Sequence, residues 1–340
     1  VKALLPRIVL GLIAGVIVYA GFTVWANAKA VAAALATFHW SMAVLGLVLA
    51  SLNYLIRFGR WQYYLGYLGV RVAWRDSFMV FLSGFALTVT PGKMGEAVKA
   101  FLLRETHGVP AARTAPIVVA ERVTDLLALV LLALVGVFSF AVDRRFLALA
   151  GAVIGVGVAV LASETLAGRI FDVLERVPWL GKAAPKLREF HSTTASLLRP
   201  KPLVAATLVA TASWFTECLA FYVVVHGFAG AGITLRAATF IYAAMTIAGA
   251  LTFVPGGLGV TEAGMLGLLV SLGTGLDRGT AAAATFVTRV VTLWFAVALG
   301  LPAFALYARR APSLEAMGTK TGTKTGTKTR AEAEPGAATE

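Results

Sequence analysis

The apolar positions of this chain fall into long runs rather than alternating with polar ones. Near-continuous apolar stretches cover about residues 8–26, 40–56, 115–141, 146–162, 203–225 and 281–307. Each approaches the ~20 residues that an α-helix needs to cross a bilayer. None shows the two-residue period of a barrel strand. Two further stretches, 77–103 and 237–272, are interrupted midway by Pro91-Gly92 and by Pro255-Gly256-Gly257. Proline removes a backbone donor and disfavours helix in the residue before it, while glycine lets the chain turn. Each half is too short to span a membrane by itself, so both stretches predict re-entrant or broken helices. The expected fold class is all-α: a polytopic helical membrane protein with two broken hairpins.

Composition agrees with that pattern. Of 340 residues, 59% are hydrophobic and 14% charged, against ~25% charged in an ordinary soluble domain. The formal net charge is +13, but most Lys and Arg lie in gaps between apolar runs. That placement reads as orientation by loop charge, and no nucleic-acid partner is expected. With a cytoplasmic N-terminus, and with each broken stretch entering and leaving on one side, 22 of the 30 Lys and Arg, Arg57, Arg60 and Lys99 among them, face the cytoplasm and 5 face outward. Lys93, Arg122 and Arg289 remain at membrane depth. Both termini are therefore expected in the cytoplasm. The first run, from Ile8 to Trp25, exceeds the ~7–15 residues of a signal-peptide core and is read as an uncleaved span. The single Cys218 excludes an internal disulfide.

Two segments read as non-spanning. In 163–202, Leu166, Ile170, Val173, Leu174 and Val177 recur at helical spacing with charges between them. This fits an amphipathic helix on the inner leaflet or a cytoplasmic hairpin. The last part, 311–340, contains "GTKTGTKTGTKT", a repeat that cannot bury a core and reads as a disordered cationic tail after a membrane domain at 1–310.

The two breaks resemble each other. One reads "PGKMGEA" and the other "PGGLGVTEA", and each is followed by a span that carries an arginine, Arg122 or Arg289. Three full spans separate them, so the hairpins are expected to face opposite ways, as inverted repeats. Paired broken segments of this kind mark secondary transporters with a binding site near the midplane. The turn residues Pro91, Gly92, Gly95, Pro255, Gly256, Gly257 and Gly259 would shape that site.

Eight ionisable residues lie inside these apolar segments: Lys93, Glu96, Glu121, Arg122, Asp125, Glu217, Glu262 and Arg289. A charge at a helix centre costs ~2.5–3.5 kcal/mol on insertion scales, so these groups must pair, line a wet cavity or sit in protein interior. Glu121 and Asp125 share one helix face. Asn53, Arg57 and Arg60 share another, which emerges toward the cytoplasm and suits either interfacial anchoring or headgroup contact. Glu96 and Glu262 also suit a purely local role at the N-termini of the half-helices behind them. Lys93 opposes the helix dipole there, which makes sense if an anion lies between it and the amides of the glycine-rich turn. The second turn is expected to present donors in the same way. His39, His107, His191 and His226 are scattered, no Cys/His metal spacing or phosphate-binding loop is present, and no cofactor is expected.

The segments "NYLIRFGRWQYYL", "TPGKMGEAVKAFLL", "AERVTDLLAL", "SWFTECLAFY", "FVPGGLGVTEAG" and "TRVVTLW" together resemble the flippase-like integral membrane family typified by the transmembrane region of lysylphosphatidylglycerol synthases. The resemblance covers about residues 8–308. It implies a lipid translocator of a bacterial-type inner membrane, with membrane lipids and a lipid-modifying enzyme as the expected partners. The soluble aminoacyl-transferring domain of those synthases has no counterpart in this sequence, so no enzymatic activity is expected. On this reading Lys93, Arg122 and Arg289 would bind a phosphate headgroup, with Glu96, Glu121, Asp125, Glu217 and Glu262 balancing charge, binding an amine or carrying protons. The competing reading is an intramembrane enzyme on polyprenyl-phosphate or glycolipid substrates, with Glu121, Asp125, Glu217 and Glu262 as acids or bases.

Overall fold

The computed structural model describes residues 28–88, 96–137 and 184–309, with isolated positions elsewhere. The expected spans 8–26 and 146–162, the amphipathic pattern at 166–177 and the tail lie largely or wholly outside the described residues. So do Pro91, Gly92, Lys93 and Gly95.

The described chain is helical. In order, the helices are α1 (Ala28–Ala36), α2 (Trp40–Tyr67), α3 (Trp74–Ser83), α4 (Val98–His107), α5 (Ala111–Val137), α6 (Ala184–Leu197), α7 (Pro200–Val225), α8 (Leu235–Leu251), α9 (Val260–Leu272), α10 (Arg278–Arg289) and α11 (Phe295–Ala308). Local chemistry explains most of the boundaries. Gly69 and Gly108 adopt φ of 66° and 65° just past α2 and α4, the left-handed stop that glycine supplies without strain. Pro200 opens α7, where its missing N–H costs nothing. The side chains of Thr234 and Asp277 accept from Ala237 N and Thr280 N and so cap α8 and α10.

Among the described residues, four helical segments are long and apolar enough to cross a membrane: Trp40–Tyr67, Pro200–Val225, Pro255–Leu272 and Arg278–Tyr307. Helix α5 is as long, at 27 residues, but carries Glu121, Arg122 and Asp125. The 28-residue α2 runs well past the expected end at 56. It carries Arg57 and Arg60 into the interior, where they are 9% and 1% exposed. That corrects the sequence reading, which placed both arginines at the cytoplasmic surface. Lys99, also assigned to a loop, is 2% exposed on α4. In the loop 163–202, the described part forms α6, which packs on α5.

Both broken stretches are broken. Helix α3 runs into a 3-10 turn, Gly84–Leu87, and the second arm, α4, begins at Val98, with residues 89–95 between them outside the described residues. Helix α8 ends at Leu251, a 3-10 turn covers Pro255–Gly257, and α9 begins at Val260. In each hairpin the two arms pack on each other. Gly256, Gly257 and Gly259 have φ of 63°, 67° and 88°. Three left-handed residues in so short a turn explain the glycine content of that motif.

The packing is reciprocal. Helix α2 lies along α7. Helix α5, which follows the first hairpin, packs on α8 of the second. Helix α11, which follows the second, packs on α3 and the 3-10 turn of the first. Glycine permits both crossings. A methyl on Gly136 would collide with Phe240, and one on Gly300 would collide with the backbone of Phe85 and Ala86. Close helix approach through small residues is the usual packing mode in a membrane, where hydrophobic burial gives no drive between helices.

This predicts that Gly300→Val lowers the melting temperature of the detergent-solubilised protein, since overpacking costs about 1–3 kcal/mol. Gly267→Ala, which meets open space on α9, should leave it unchanged or raise it. Equal melting temperatures for Gly300→Val and the unaltered chain would show that this crossing is not tight.

Candidate functional site

A cavity of about 310 Å³ opens between the tips of the two hairpins. That is at the lower end of the ~300–1,000 Å³ typical of small-molecule sites. Its charged lining residues are Arg57, Arg122, Asp125, Glu217 and Arg289, with Tyr54, Trp214, Tyr242, Thr88 and Thr292 as polar or aromatic neighbours. Phe85 and Thr88 come from the first tip and Gly249, Gly256, Gly257 and Thr261 from the second. Seven residues expected at a site thus reach one chamber: Arg57, Arg122, Asp125, Glu217, Gly256, Gly257 and Arg289.

Of the other described candidates, Glu96, Glu121, Glu262, Asn53 and Arg60 stand behind it. Glu96 is the hub of a buried network. Its carboxylate pairs with Arg122 at 3.0 Å, and with Arg57 and Lys99 at 3.7 Å each. Asp125 pairs with Arg60 at 2.8 Å and Arg122 at 3.0 Å, and accepts from Trp214 Nε1 at 3.1 Å. Glu121 turns away from the chamber to Lys99, at 2.6 Å. Lys99 Nζ also sits over the Trp61 ring, 4.7 Å from its centroid, a favourable cation–π contact. Asn53 is buried against α7 and donates to the Ser213 carbonyl at 2.7 Å. Within the described residues this network joins four cations, Arg57, Arg60, Lys99 and Arg122, to three carboxylates. Arg57 and Arg122 lie at its cavity edge. Arg57 Nε, Arg122 Nε and Thr88 Oγ1 find no hydrogen-bond partner among the described residues.

The second hairpin repeats the central strut in simpler form. Arg289 Nε pairs with Glu262 at 2.7 Å, and its Nη2 donates to the Gly256 carbonyl. Glu262 also accepts from Gly259 N at 2.6 Å, so it serves the helix terminus and the strut together. The turn amides of Gly257 and Leu258 bond to Val254 O and Pro255 O. The expectation that this turn presents amide donors to a ligand is therefore corrected for Gly257, Leu258 and Gly259, which are engaged internally. The positive group offered here is Arg289.

Alignment on the struts relates the two halves residue by residue. Glu96–Arg122 corresponds to Glu262–Arg289, and three residues past each arginine stand Asp125 and Thr292. The aromatic residues that reach these positions come from the opposite halves. Trp214 donates to Asp125, and Tyr54 Oη donates to the Thr292 carbonyl at 2.8 Å. That carbonyl lies in a π-helical turn, Val290–Trp294, a local widening often found at functional sites. Lys99 corresponds to Met265, and Glu121 to Thr288. Arg57 and Glu217, each three residues after the cross-reaching aromatic, correspond to each other and have opposite charge. Glu217 accepts a hydrogen bond from Tyr242 Oη at 2.6 Å.

Sequence reading missed Lys99, Tyr54, Trp214 and Tyr242. Lys99 was recoverable, since it lies one helical turn past Glu96. The aromatic residues carried no signal, because Tyr and Trp are common in membrane helices and only the packing of α7 on α2 and on α8 aims them inward.

A family model described as the lysylphosphatidylglycerol synthase TM region matches residues 12–300, and the chain belongs to that family. It is also similar to two UPF0104 membrane proteins of Methanothermobacter thermautotrophicus. One is 26% identical over 73% of this chain and 80% of the relative. The other is 26% identical over 84% of this chain and 89% of the relative. A UPF0104 membrane protein of Pyrococcus horikoshii is 21% identical, over 76% and 84% of the two chains.

The network predicts a specific double-mutant result. Lys99→Met leaves Glu121 buried without its partner and should destabilise the protein by about 3–5 kcal/mol. Lys99→Met with Glu121→Thr, which copies Met265 and Thr288 of the second half, should recover most of that loss. Unfolding of the four proteins in detergent checks it, and strictly additive effects would contradict the pairing.

Proposed function

We propose that this chain, as a member of the lysylphosphatidylglycerol synthase TM-region family, is a lipid transporter or flippase of a bacterial-type inner membrane. It moves an anionic or zwitterionic phospholipid or glycolipid, with the headgroup held in the cavity between the hairpin tips and both termini in the cytoplasm. The observation that carries the reading is the convergence of Arg57, Arg122 and Arg289 on one cavity inside an apolar helical bundle.

Three features support it. Cations at membrane depth are costly unless they serve a ligand or a partner, and Arg57 and Arg122 keep donors beyond those used in the network. The cavity edge at Leu251, Phe253 and Val254 is exposed and apolar, so an acyl chain can stay in the bilayer while its headgroup enters. Phe253 holds φ of 54° there, a strained setting for a bulky residue and one that clusters at working sites. Finally, binding between two reciprocal broken hairpins is the arrangement of alternating-access transporters. The competing enzymatic reading has less to stand on, because Glu121 and Glu262 are held in ion pairs behind the cavity and Asp125, which lines it, is paired with Arg60 and Arg122.

Reconstitution in liposomes with labelled lipids tests the proposal. Translocation should exceed that of empty liposomes for at least one phosphate-bearing lipid. Arg122→Ala, Arg289→Ala and Lys93→Ala should each slow it by about tenfold or more, the scale of losing a charged hydrogen bond. Arg236→Ala, exposed at the start of α8, should not. Rates equal to empty liposomes for every lipid class, with folded protein, would end the proposal, and a change in lipid mass would favour the enzyme.

A further inference from the structure

The two halves share a backbone plan but not a charge plan, and the difference falls on the cavity wall. At corresponding places on α2 and α7 stand Arg57 and Glu217, and both line the cavity. The first half brings Arg57, Arg122 and the Thr88 hydroxyl to the chamber, backed by a network in which described cations outnumber carboxylates by one. Another part of the wall brings Glu217, oriented by the 2.6 Å bond from Tyr242. Tyr54, Trp214 and Tyr242 line the same cavity as that carboxylate.

A ligand carrying only negative charge would meet Glu217 as a like charge in a site of low dielectric, where such repulsion is strong. One carrying only positive charge would meet Arg57 and Arg122. Both walls are satisfied by a headgroup that joins a phosphate to an ammonium. Ammonium groups are favoured beside a carboxylate and over the faces of Trp and Tyr rings. Phosphate oxygens match the planar donor fork of arginine.

The geometry points to an amine-bearing zwitterionic phospholipid as the ligand, its phosphate at Arg57, Arg122 and Thr88 and its ammonium at Glu217 among Tyr54, Trp214 and Tyr242. This deepens the transport reading and rests on it for the lipid class. Glu217 is then the residue that sets specificity. Arg289, tied to Glu262 and Gly256, belongs to the frame of the second hairpin as well as to the wall.

The test is a binding measurement that does not need transport. The full chain in detergent is titrated with short-chain phosphatidylethanolamine and phosphatidylglycerol of identical acyl chains, with binding followed by native mass spectrometry. The unaltered protein should prefer phosphatidylethanolamine by about tenfold or more, the scale of one charge-assisted contact. Glu217→Gln keeps the shape and a partner for Tyr242. It should bring the ratio near one, chiefly by tightening phosphatidylglycerol and weakening phosphatidylethanolamine. Arg122→Ala should weaken both lipids. Equal affinities in the unaltered protein, or an unchanged ratio in Glu217→Gln, overturn the inference. So does a loss of binding to both lipids in Glu217→Gln, which would assign the residue to the frame. If Glu217→Gln abolishes only a pH dependence of translocation while the ratio holds, the residue is a proton carrier and the inference is again overturned. Should the ratio behave as expected while no lipid crosses a liposome bilayer, the transport reading fails and the headgroup assignment stands.

Discussion

A charge inside an apolar helical bundle has to be answered by another, and that requirement organises this protein. Removing one partner of a buried ion pair costs more than most single packing defects. Glu96 meets Arg57, Lys99 and Arg122, and through them it ties α2, α4 and α5 together at the tip of the first hairpin. Asp125 extends the same network to Arg60 and to Trp214 on α7. Helices that would otherwise be held by dispersion and small-residue contacts alone gain directional contacts at the level where the hairpins end.

The second half solves the same problem with fewer charges. Glu262 and Arg289 form its strut, while Met265, Thr288 and Thr292 replace the ionic positions of the first half. Thr288 and Thr292 donate to carbonyls four residues back, Ala284 O and Thr288 O, so they satisfy themselves within their own helix. A π-helical turn and three left-handed glycines supply the irregular backbone. One half is thus braced by side-chain charge and the other by turn geometry. The cross-reaching Tyr54 and Trp214 join them at corresponding points.

These features give the functional reading its shape. Reciprocal hairpins define a place near the middle of the bundle where polar groups converge, and the exposed apolar edge beside Phe253 gives that place a side open to hydrocarbon. A molecule with a charged head and apolar chains fits both conditions at once. Membership of a family described by the membrane region of lipid-modifying synthases is consistent with such a ligand, and the opposed charges of Arg57 and Glu217 narrow its chemistry.

The sequence by itself determined the helical membrane class, the two interrupted hairpins, the place of the second break at Pro255–Gly257 and the pairing of each hairpin with a downstream arginine. Those features are local: run length, proline and glycine chemistry, and the cost of charge in lipid. It also named most of the ionisable groups that line the cavity, because a charged residue in an apolar run stands out. Tertiary structure decided which of them face the chamber and which brace it. Glu121 and Asp125 lie four residues apart on α5, yet one turns to Lys99 behind the site while the other lines the cavity. Arg57, Arg60 and Lys99 read as loop cations by sequence and proved to be buried, since α2 continues past its most apolar part and α4 turns Lys99 inward while Arg104 stays exposed. Which helix lies across from a given side chain is a long-range fact, set by the reciprocal crossing of the two halves, and no local pattern of residues encodes it.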